Sequence, residues 1–500
     1  MTNYSCKMNK LRWRFLIGLL LLATFSGFSQ NYEISISMKS KNDTAYLAFI
    51  FVKDDPKNIR VDTIAVLKNG KGVFKGNRVL SNGMYYIYND NKRFPLLIGN
   101  NQKFGIEADT TDFIKNNRFT NSPDNDAFYA FMRNDIQRAA KLYQLGEQFK
   151  NAVDDAEKIA IREQAQELNE EKQALLHRLI RENESHYVSK FLKALLPLEL
   201  PEPPKDEQGR ITDSTFLYRW YRAHFFDHLN IFDPDMLRTP LYEDKLVDYL
   251  KWFTQVNYVY PVDTICAEAD RILTKAMSNK EVFRCVLAVT YNHFANSDLM
   301  VRENIWVHLV DKWYVPHADW ANIEDMKKNA DNVRATLIGK LAPPLDDLLW
   351  LPPEHFKAAA LDTAIKNDIY AGKIIPDFRK NIQTKYLAII FWDIGCSHCK
   401  KTMQELWEVY QAYKDKGLQV IAIQALQQKD SKAKWIDYIN EQGMYDWINA
   451  WIIYNQNWRD LYETSVVPIM YLLNEKKEIL FKRVQPDQIK GFVEAMSERK

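Results

Sequence analysis

The chain divides into three stretches with different hydrophobic rhythms. From Asn31 to Thr110, apolar and polar residues alternate with the period of a strand. Tyr32, Ile34, Ile36 and Met38 would share one face, as would Phe104, Ile106 and Ala108. Six glycines (70, 72, 76, 83, 99 and 105) punctuate this stretch, whereas none lies between Gly209 and Gly339. Glycine marks turns and weakens helix interiors, so the first stretch should be turn-rich and the middle helical. Asn69-Gly70 between two apolar runs is a hairpin-turn signal, and Asn82-Gly83 precedes the aromatic run 85–88. The pattern predicts a small antiparallel β-sandwich over residues 31–119.

Residues 122–336 change to helical spacing. Phe128, Phe131, Ile136 and Leu142 recur along 124–150. Ile161, Leu168, Leu175 and Leu179 recur along 156–183 with a charged opposite face. Pro201-Glu202-Pro203-Pro204 through Gly209 must be a loop, because proline stops helices. Further helices are expected over 217–229, 242–256, 266–278, 280–295 and 301–312, giving an all-α middle domain. After Ala342-Pro343-Pro344 the rhythm becomes alternating strands and helices, an α/β pattern over 338–500. There, 386–392 is a continuous apolar strand. Residues 397–416 form an amphipathic helix with Met403, Leu406, Trp407, Tyr410 and Tyr413 on one face. Residues 418–423 form a strand and 432–441 a helix, and 469–473 should pair with 478–484. Ile489, Phe492, Val493 and Met496 mark a closing helix that starts near Pro486.

Composition narrows the classes. Five hundred residues correspond to about three domains at roughly 150 residues each. Sixty-seven basic and 65 acidic residues leave a net charge of +2, which excludes a strongly basic nucleic-acid binder, so no nucleic-acid partner is expected. Five cysteines are too few for a disulfide-stapled scaffold. Lys7, Lys10, Arg12 and Arg14 precede a short apolar run that ends in small and polar residues up to Gln30. That is the order of a secretory signal peptide over 1–29, cleaved near Ser29 or Gln30. At about eleven residues the run falls short of the roughly 20 needed to span a bilayer; uncleaved, it would act as a membrane anchor. Cys6 would be lost with the peptide. The mature chain would then lie outside the cytoplasm with Cys266, Cys285, Cys396 and Cys399.

The chemistry is concentrated in Cys396-Ser397-His398-Cys399, which follows the buried strand and opens the amphipathic helix. At that junction backbone N–H groups and the helix dipole favour an anion, and His398 and Lys400 add donors or positive charge. The thiolate is the reactive species, so Cys396 is the expected nucleophile. Cys399, one turn on, is close enough to close an internal redox-active disulfide. A zinc site would want a second cysteine pair or nearby histidines, and the last 100 residues hold no other histidine. No metal and no cofactor are therefore expected. His224 and His228 stand four apart on a helix but lack the glutamate of a HExxH site. Cys266 and Cys285 could be bridged or buried and reduced; their spacing does not decide.

The segment Phe391-Trp392-Asp393-Ile394-Gly395-Cys396-Ser397-His398-Cys399-Lys400 resembles the active-site segment of thioredoxin-like proteins. Val467-Pro468 before the strand 469–473 resembles the family's cis-proline loop. Gly339 to Leu345, with Ala342-Pro343, resembles the lead-in of the extracytoplasmic TlpA/ResA-type branch, and the upstream regions resemble, more weakly, accessory domains fused to such proteins in Gram-negative envelopes. The resemblance implies a C-terminal thioredoxin fold and a periplasmic thiol–disulfide oxidoreductase. Its partners would be protein thiols or disulfides of the envelope and a membrane or periplasmic electron donor. It also implies a cis Pro468 against the cysteine pair, with Val467 and Trp392 contacting substrate.

The departures concern the proton acceptor for Cys399. Family acids are replaced by Ile390 before the Phe-Trp pair and by Thr402 after the second cysteine; Gly395 and Gln404 replace the usual Trp and Pro. Asp393 is the nearest remaining acid and is expected to substitute. His398 before the second cysteine resembles the strongly oxidising DsbA type, so the potential should fall between about −120 mV for that protein and about −270 mV for thioredoxin. Two other readings stay open at this level. One is an envelope ligand-binding protein with an idle thioredoxin scaffold; the other is copper handling through Cys396, Cys399 and His398.

Overall fold

A computed structural model describes residues 31–40, 42–50, 59–89, 92–255, 258–259, 261–297, 301–346, 348–368, 370–425, 430–451 and 458–498. The expected signal peptide, its cleavage site and Cys6 lie outside the described residues. Two compact units are present. One runs to Trp252 and includes Ile272–Val289; the other comprises Phe253–Arg271 and the chain from Thr290 on.

The first unit opens with eight strands: β1 (Tyr32–Met38), β2 (Thr44–Ile50), β3 (Ile59–Val66), β4 (Lys71–Gly76), β5 (Gly83–Asn89), β6 (Lys92–Ile98), β7 (Lys103–Ala108) and β8 (Arg118–Thr120). They form two four-stranded sheets in the orders β4-β1-β7-β8 and β3-β2-β5-β6. The alternation read in the sequence is the burial pattern: Tyr32, Ile34, Ile36 and Met38 are buried while Glu33 and Ser35 face out. Inner residues of both sheets, among them Ile36, Leu47, Ile87 and Leu96, share one core. Two details differ from the expectation. β1 pairs with β7 in parallel within an otherwise antiparallel sandwich. The Asn69-Gly70 turn is tight, with φ of 50° and 74°, but β3 and β4 part into opposite sheets after the single Lys68–Lys71 bridge. The turn chemistry is local, whereas the sheet each strand joins depends on partners elsewhere.

The long helix Pro123–Asn151 is docked on β6 by Asn125. Its side chain donates to Leu97 O and accepts from Leu97 N, both at 2.8 Å. Helix Asp155–Glu182 follows, capped by Asp154, which accepts from Glu157 N at 2.7 Å. Ile136, expected on the apolar face, is exposed. Helices Phe216–His224, Pro240–Trp252, Val262–Ala276, Lys280–Ala295 and Arg302–Leu309 overlap the expected ones, but the helix expected over 242–256 ends at Trp252 and Thr254–Gln255 is a short strand, so the middle region is helical without being all-α. Tyr187–Lys193 and Ile323–Arg334 were not expected. Among the described residues no helix is long and apolar enough to cross a membrane.

The second unit contains a short β9–β10 pair (Thr254–Gln255 and Tyr258–Val259), the helices Arg302–Leu309 and Ile323–Arg334, and a seven-stranded sheet. The sheet's strands are β11 (Leu348–Leu351), β12 (Lys373–Ile375), β13 (Tyr386–Trp392), β14 (Leu418–Gln424), β15 (Ile448–Trp451), β16 (Ile469–Leu473) and β17 (Ile479–Lys482). They are ordered β12-β11-β15-β14-β13-β16-β17. β13, β14 and β15 are parallel; β16 runs antiparallel to β13, and β17 to β16. A strand at the centre of such a sheet is covered on both faces and reads as a continuous apolar run. Accordingly all seven residues of β13 are buried. Ala388, Ile390 and Trp392 enter the core under the cysteine helix, and Leu387, Ile389 and Phe391 enter the core on the other face. The cysteine helix Ser397–Tyr413 lays Met403, Leu406, Val409 and Tyr410 on the first of these cores. After one more 3₁₀ turn Gly417, at φ 89°, reverses the chain into β14, a left-handed position that suits glycine. The lead-in segment pairs beside β17 through Gly339 N to Ile479 O and Ala342 N to Lys477 O, at 2.8 and 2.9 Å.

Candidate redox site

Cys396 is the N-cap of the cysteine helix, where Ser, Thr, Asp or Asn usually stands. Its Sγ accepts a hydrogen bond from Cys399 N at 3.2 Å. The turn before it is built by Asp393: the Asp393 carbonyl accepts from Cys396 N at 3.1 Å, and its carboxylate accepts from Gly395 N at 2.7 Å. Cys396 is half-buried, while Cys399 is completely buried. The Cys399 thiol is pushed up to about 12, first by burial, then by its bond with Cys396 and by the neighbouring negative charges. A backbone hydrogen bond at Asp393 opposes the rise. Ser397 and His398 are exposed. The Lys400 ammonium sits over the Tyr438 ring at 5.6 Å.

Thr402, which stands where an acid was expected, is buried and donates to His398 O at 3.2 Å. Asp393 is half-buried. Its second oxygen is 3.4 Å from Gln424 Nε2. Gln424 ends β14 directly opposite Trp392 and is buried, with Oε1 lacking a partner among the described residues. Sequence reading missed Gln424, because a lone glutamine at a strand end carries no signal.

The Val467-Pro468 bond is cis. Phe391 pairs with Ile469, so Pro468 and the start of the cysteine helix lie at the same end of adjacent strands. Cys396 and Val467 pack against the same core. A cleft of about 290 Å³ opens beside Pro468, with Thr402, Glu463, Val466, Arg483 and Gln485 in its walls.

Trp392 requires a correction. It was expected to contact substrate, but it is 0% exposed and its ring packs on Tyr438 at 5.7 Å, so it is a core residue beneath the site. The last residue of a doubly covered strand turns its side chain inward, and the surface at this end belongs to the loops that follow.

Elsewhere, Cys266 and Cys285 are free, buried thiols, each raised by burial to about 12. His224 pairs with Asp227 at 2.8 Å and stacks on Trp220, and His228 faces Leu196 O at 3.4 Å. Among the described residues no three His, Cys, Asp or Glu side chains gather in a metal-holding group.

Residues 383–479 match the Thioredoxin-like family, and residues 32–128 and 162–335 match two domains of unknown function, DUF4369 and DUF5106. No curated protein matches the chain. Among solved structures, a thioredoxin-like protein from Bacteroides caccae is similar at 18% identity over 60% of this chain and 99% of that one, with a TM-score of 0.42. A thiol:disulfide interchange protein from a Bacteroides species is 21% identical over 33% of this chain and 92% of its own, with a TM-score of 0.25. StoA from Bacillus subtilis is 18% identical over 25% and 90%, with a TM-score of 0.21. The matched region holds the central β13–β14 pair, the cysteine helix and the cis-proline loop, so the C-terminal part of this chain is a thioredoxin-like domain.

Proposed function

We propose that the chain is a thiol–disulfide oxidoreductase of the periplasm that exchanges disulfides with envelope proteins through Cys396 and Cys399. The observation that carries the reading is the asymmetry of the pair: one sulfur at a helix tip, partly exposed and holding a backbone N–H, the other buried one turn behind it. In the reducing direction Cys396 thiolate attacks a substrate disulfide. A mixed disulfide forms and the first substrate sulfur leaves as a thiolate. Cys399, losing its proton to Asp393, then attacks Cys396 Sγ; the internal disulfide forms and the second substrate sulfur leaves. Two electrons pass to the substrate, and an envelope electron donor restores the dithiol. The reverse sequence oxidises a substrate dithiol. Val467 offers backbone groups to the substrate beside Pro468, and exposed His398 tunes the potential.

Replacing Cys399 with Ser and probing envelope extract tests this. Trapped mixed disulfides that disappear in the Cys396→Ser variant support the reading. No trapped partner, together with no reduction of insulin by the parent, leaves a binding protein with an idle pair. Fractionation and N-terminal sequencing test the export: the mature chain should begin near Gln30 in the periplasm.

A further inference from the structure

The wall of the cleft beside Pro468 is held by a cluster of four charges. Lys482 Nζ, at the end of β17, donates to Glu303, to Glu463 Oε1 at 2.7 Å and to Thr336 Oγ1 at 3.3 Å. Arg483 bridges the same two carboxylates, reaching Glu303 Oε1 at 2.9 Å and Glu463 Oε2 at 2.5 Å. Thr336 also bonds Glu463. Two cations face two anions, so the cluster is neutral. The Lys482 and Glu303 side chains are only 4% and 8% exposed.

Glu463 and Arg483 both line the cleft. They also share a rare backbone state, with φ of 51° and 54°, which non-glycine residues adopt at a cost and keep only when their surroundings dictate it. Glu463 lies in the turn after helix Trp458–Leu461 and four residues before Val467. The far end of the cluster is not in the sheet: Glu303 is on helix Arg302–Leu309 and Thr336 follows helix Ile323–Arg334.

We propose that Glu303 is a positioning residue for the cis-proline segment that walls the cleft beside Pro468. Through Lys482 and Arg483 it fixes the segment from Glu463 to Pro468, so that a polypeptide disulfide can be aligned on Val467 in front of Cys396. The helical region thereby sets how well the thioredoxin-like domain accepts a protein substrate. The inference rests on the redox function proposed above. Removing Glu303's charge leaves the buried Lys482 ammonium and the partly exposed Arg483 guanidinium sharing the half-buried Glu463 carboxylate, an excess of charge that the cluster relieves by moving. The part free to move is the strained, cleft-lining segment. The cysteine helix takes no bond from the cluster, so the intrinsic reactivity of Cys396 is untouched.

The test uses the full chain and its Glu303→Gln variant with two oxidised substrates, insulin and the small hydroxyethyl disulfide. The variant should lose about tenfold in kcat/KM for insulin, mainly through KM, and stay within about twofold for the small disulfide, which needs no alignment. An equal loss on both, or no loss on insulin, overturns the proposal. Amide hydrogen exchange provides a readout independent of activity. In the variant, exchange should quicken at 463–470 and stay unchanged along Ser397–Tyr413; uniform quickening, or none at 463–470, overturns the positioning role. A parent that reduces neither substrate removes the redox reading, and exchange still decides the positioning. If Glu303→Gln does not fold, Glu303→Asp, which keeps the charge but shortens its reach to Lys482 and Arg483, is read in the same assays with the same expected pattern.

Discussion

The resolving sulfur should be nearly inert toward alkylation while the protein is folded. In Cys396→Ser the new hydroxyl keeps the cap on Cys399 N, since serine is a favoured N-cap, and Cys399 is left as the site's only thiol. That thiol is 0% exposed and is pushed up to about 12, with burial as the first cause. Only the thiolate alkylates. At pH 7 a thiol at that value is ionised to about one part in 10⁵, against a few per cent for an ordinary thiol near 8.5, a ratio of about 10³. Removing the Cys396 sulfur takes away part of the rise, and the lack of exposure adds protection. Iodoacetamide should therefore label Cys399 at least about a hundredfold more slowly in the folded variant than in urea. Peptide-level mass spectrometry separates it from Cys266 and Cys285. The pH slope provides a second check. The rate should climb about tenfold per pH unit from 7 to beyond 10, without the plateau above about 9 of an ordinary thiol. Labelling within about tenfold of the unfolded rate, or a plateau below pH 9, would refute the buried, neutral thiol.

Other outcomes follow from the same structure. Asp393's charge is one of the influences that raise Cys399, so Asp393→Asn should make its thiolate easier to form. If Asp393 accepts the proton, resolution of a preformed mixed disulfide nevertheless slows by about a hundredfold at pH 7, and faster resolution in rapid-quench measurements would end that role. Lys482→Met leaves buried Glu303 and half-buried Glu463 facing the partly exposed Arg483 alone and should cost about 3–5 kcal/mol by urea unfolding; a loss below about 1 kcal/mol would show that the cluster is not tightly held. Leu406→Ala removes a fully buried side chain beneath the cysteine helix and should cost about 2–5 kcal/mol in the same measurement. Cys266, Cys285 and Cys399 are all raised by burial, so above about 8.5 the folded chain keeps protons that the unfolded chain has released. Their contribution to stability is full below that pH and is lost as pH climbs toward 12, so the urea midpoint in reducing buffer should drop between pH 8.5 and 10. A level or rising midpoint would contradict it.

Local patterns were legible because local physics produces them. The run 386–392 is β13 to the residue, since a strand buried on both faces has no polar position to hide. The helix that begins at Cys396 was readable from its apolar face, and the cysteine spacing pointed to the site. Short strands such as β12 and β15 left no pattern, because three or four residues do not establish a period. Helix Ile323–Arg334 was equally silent, burying only Ala330.

The sequence alone determined the strand–cysteine–helix unit and the proline before β16, because neighbours within a turn or two of each other create them. Tertiary structure decided what depends on distant partners. It buried Trp392, ran β1 parallel to β7, and divided the helical region between two units within the helix Val262–Ala276. It also joined Glu303 to Lys482 across 179 positions. A charge 179 residues away leaves no periodicity behind, and only the folded chain can bring the two together.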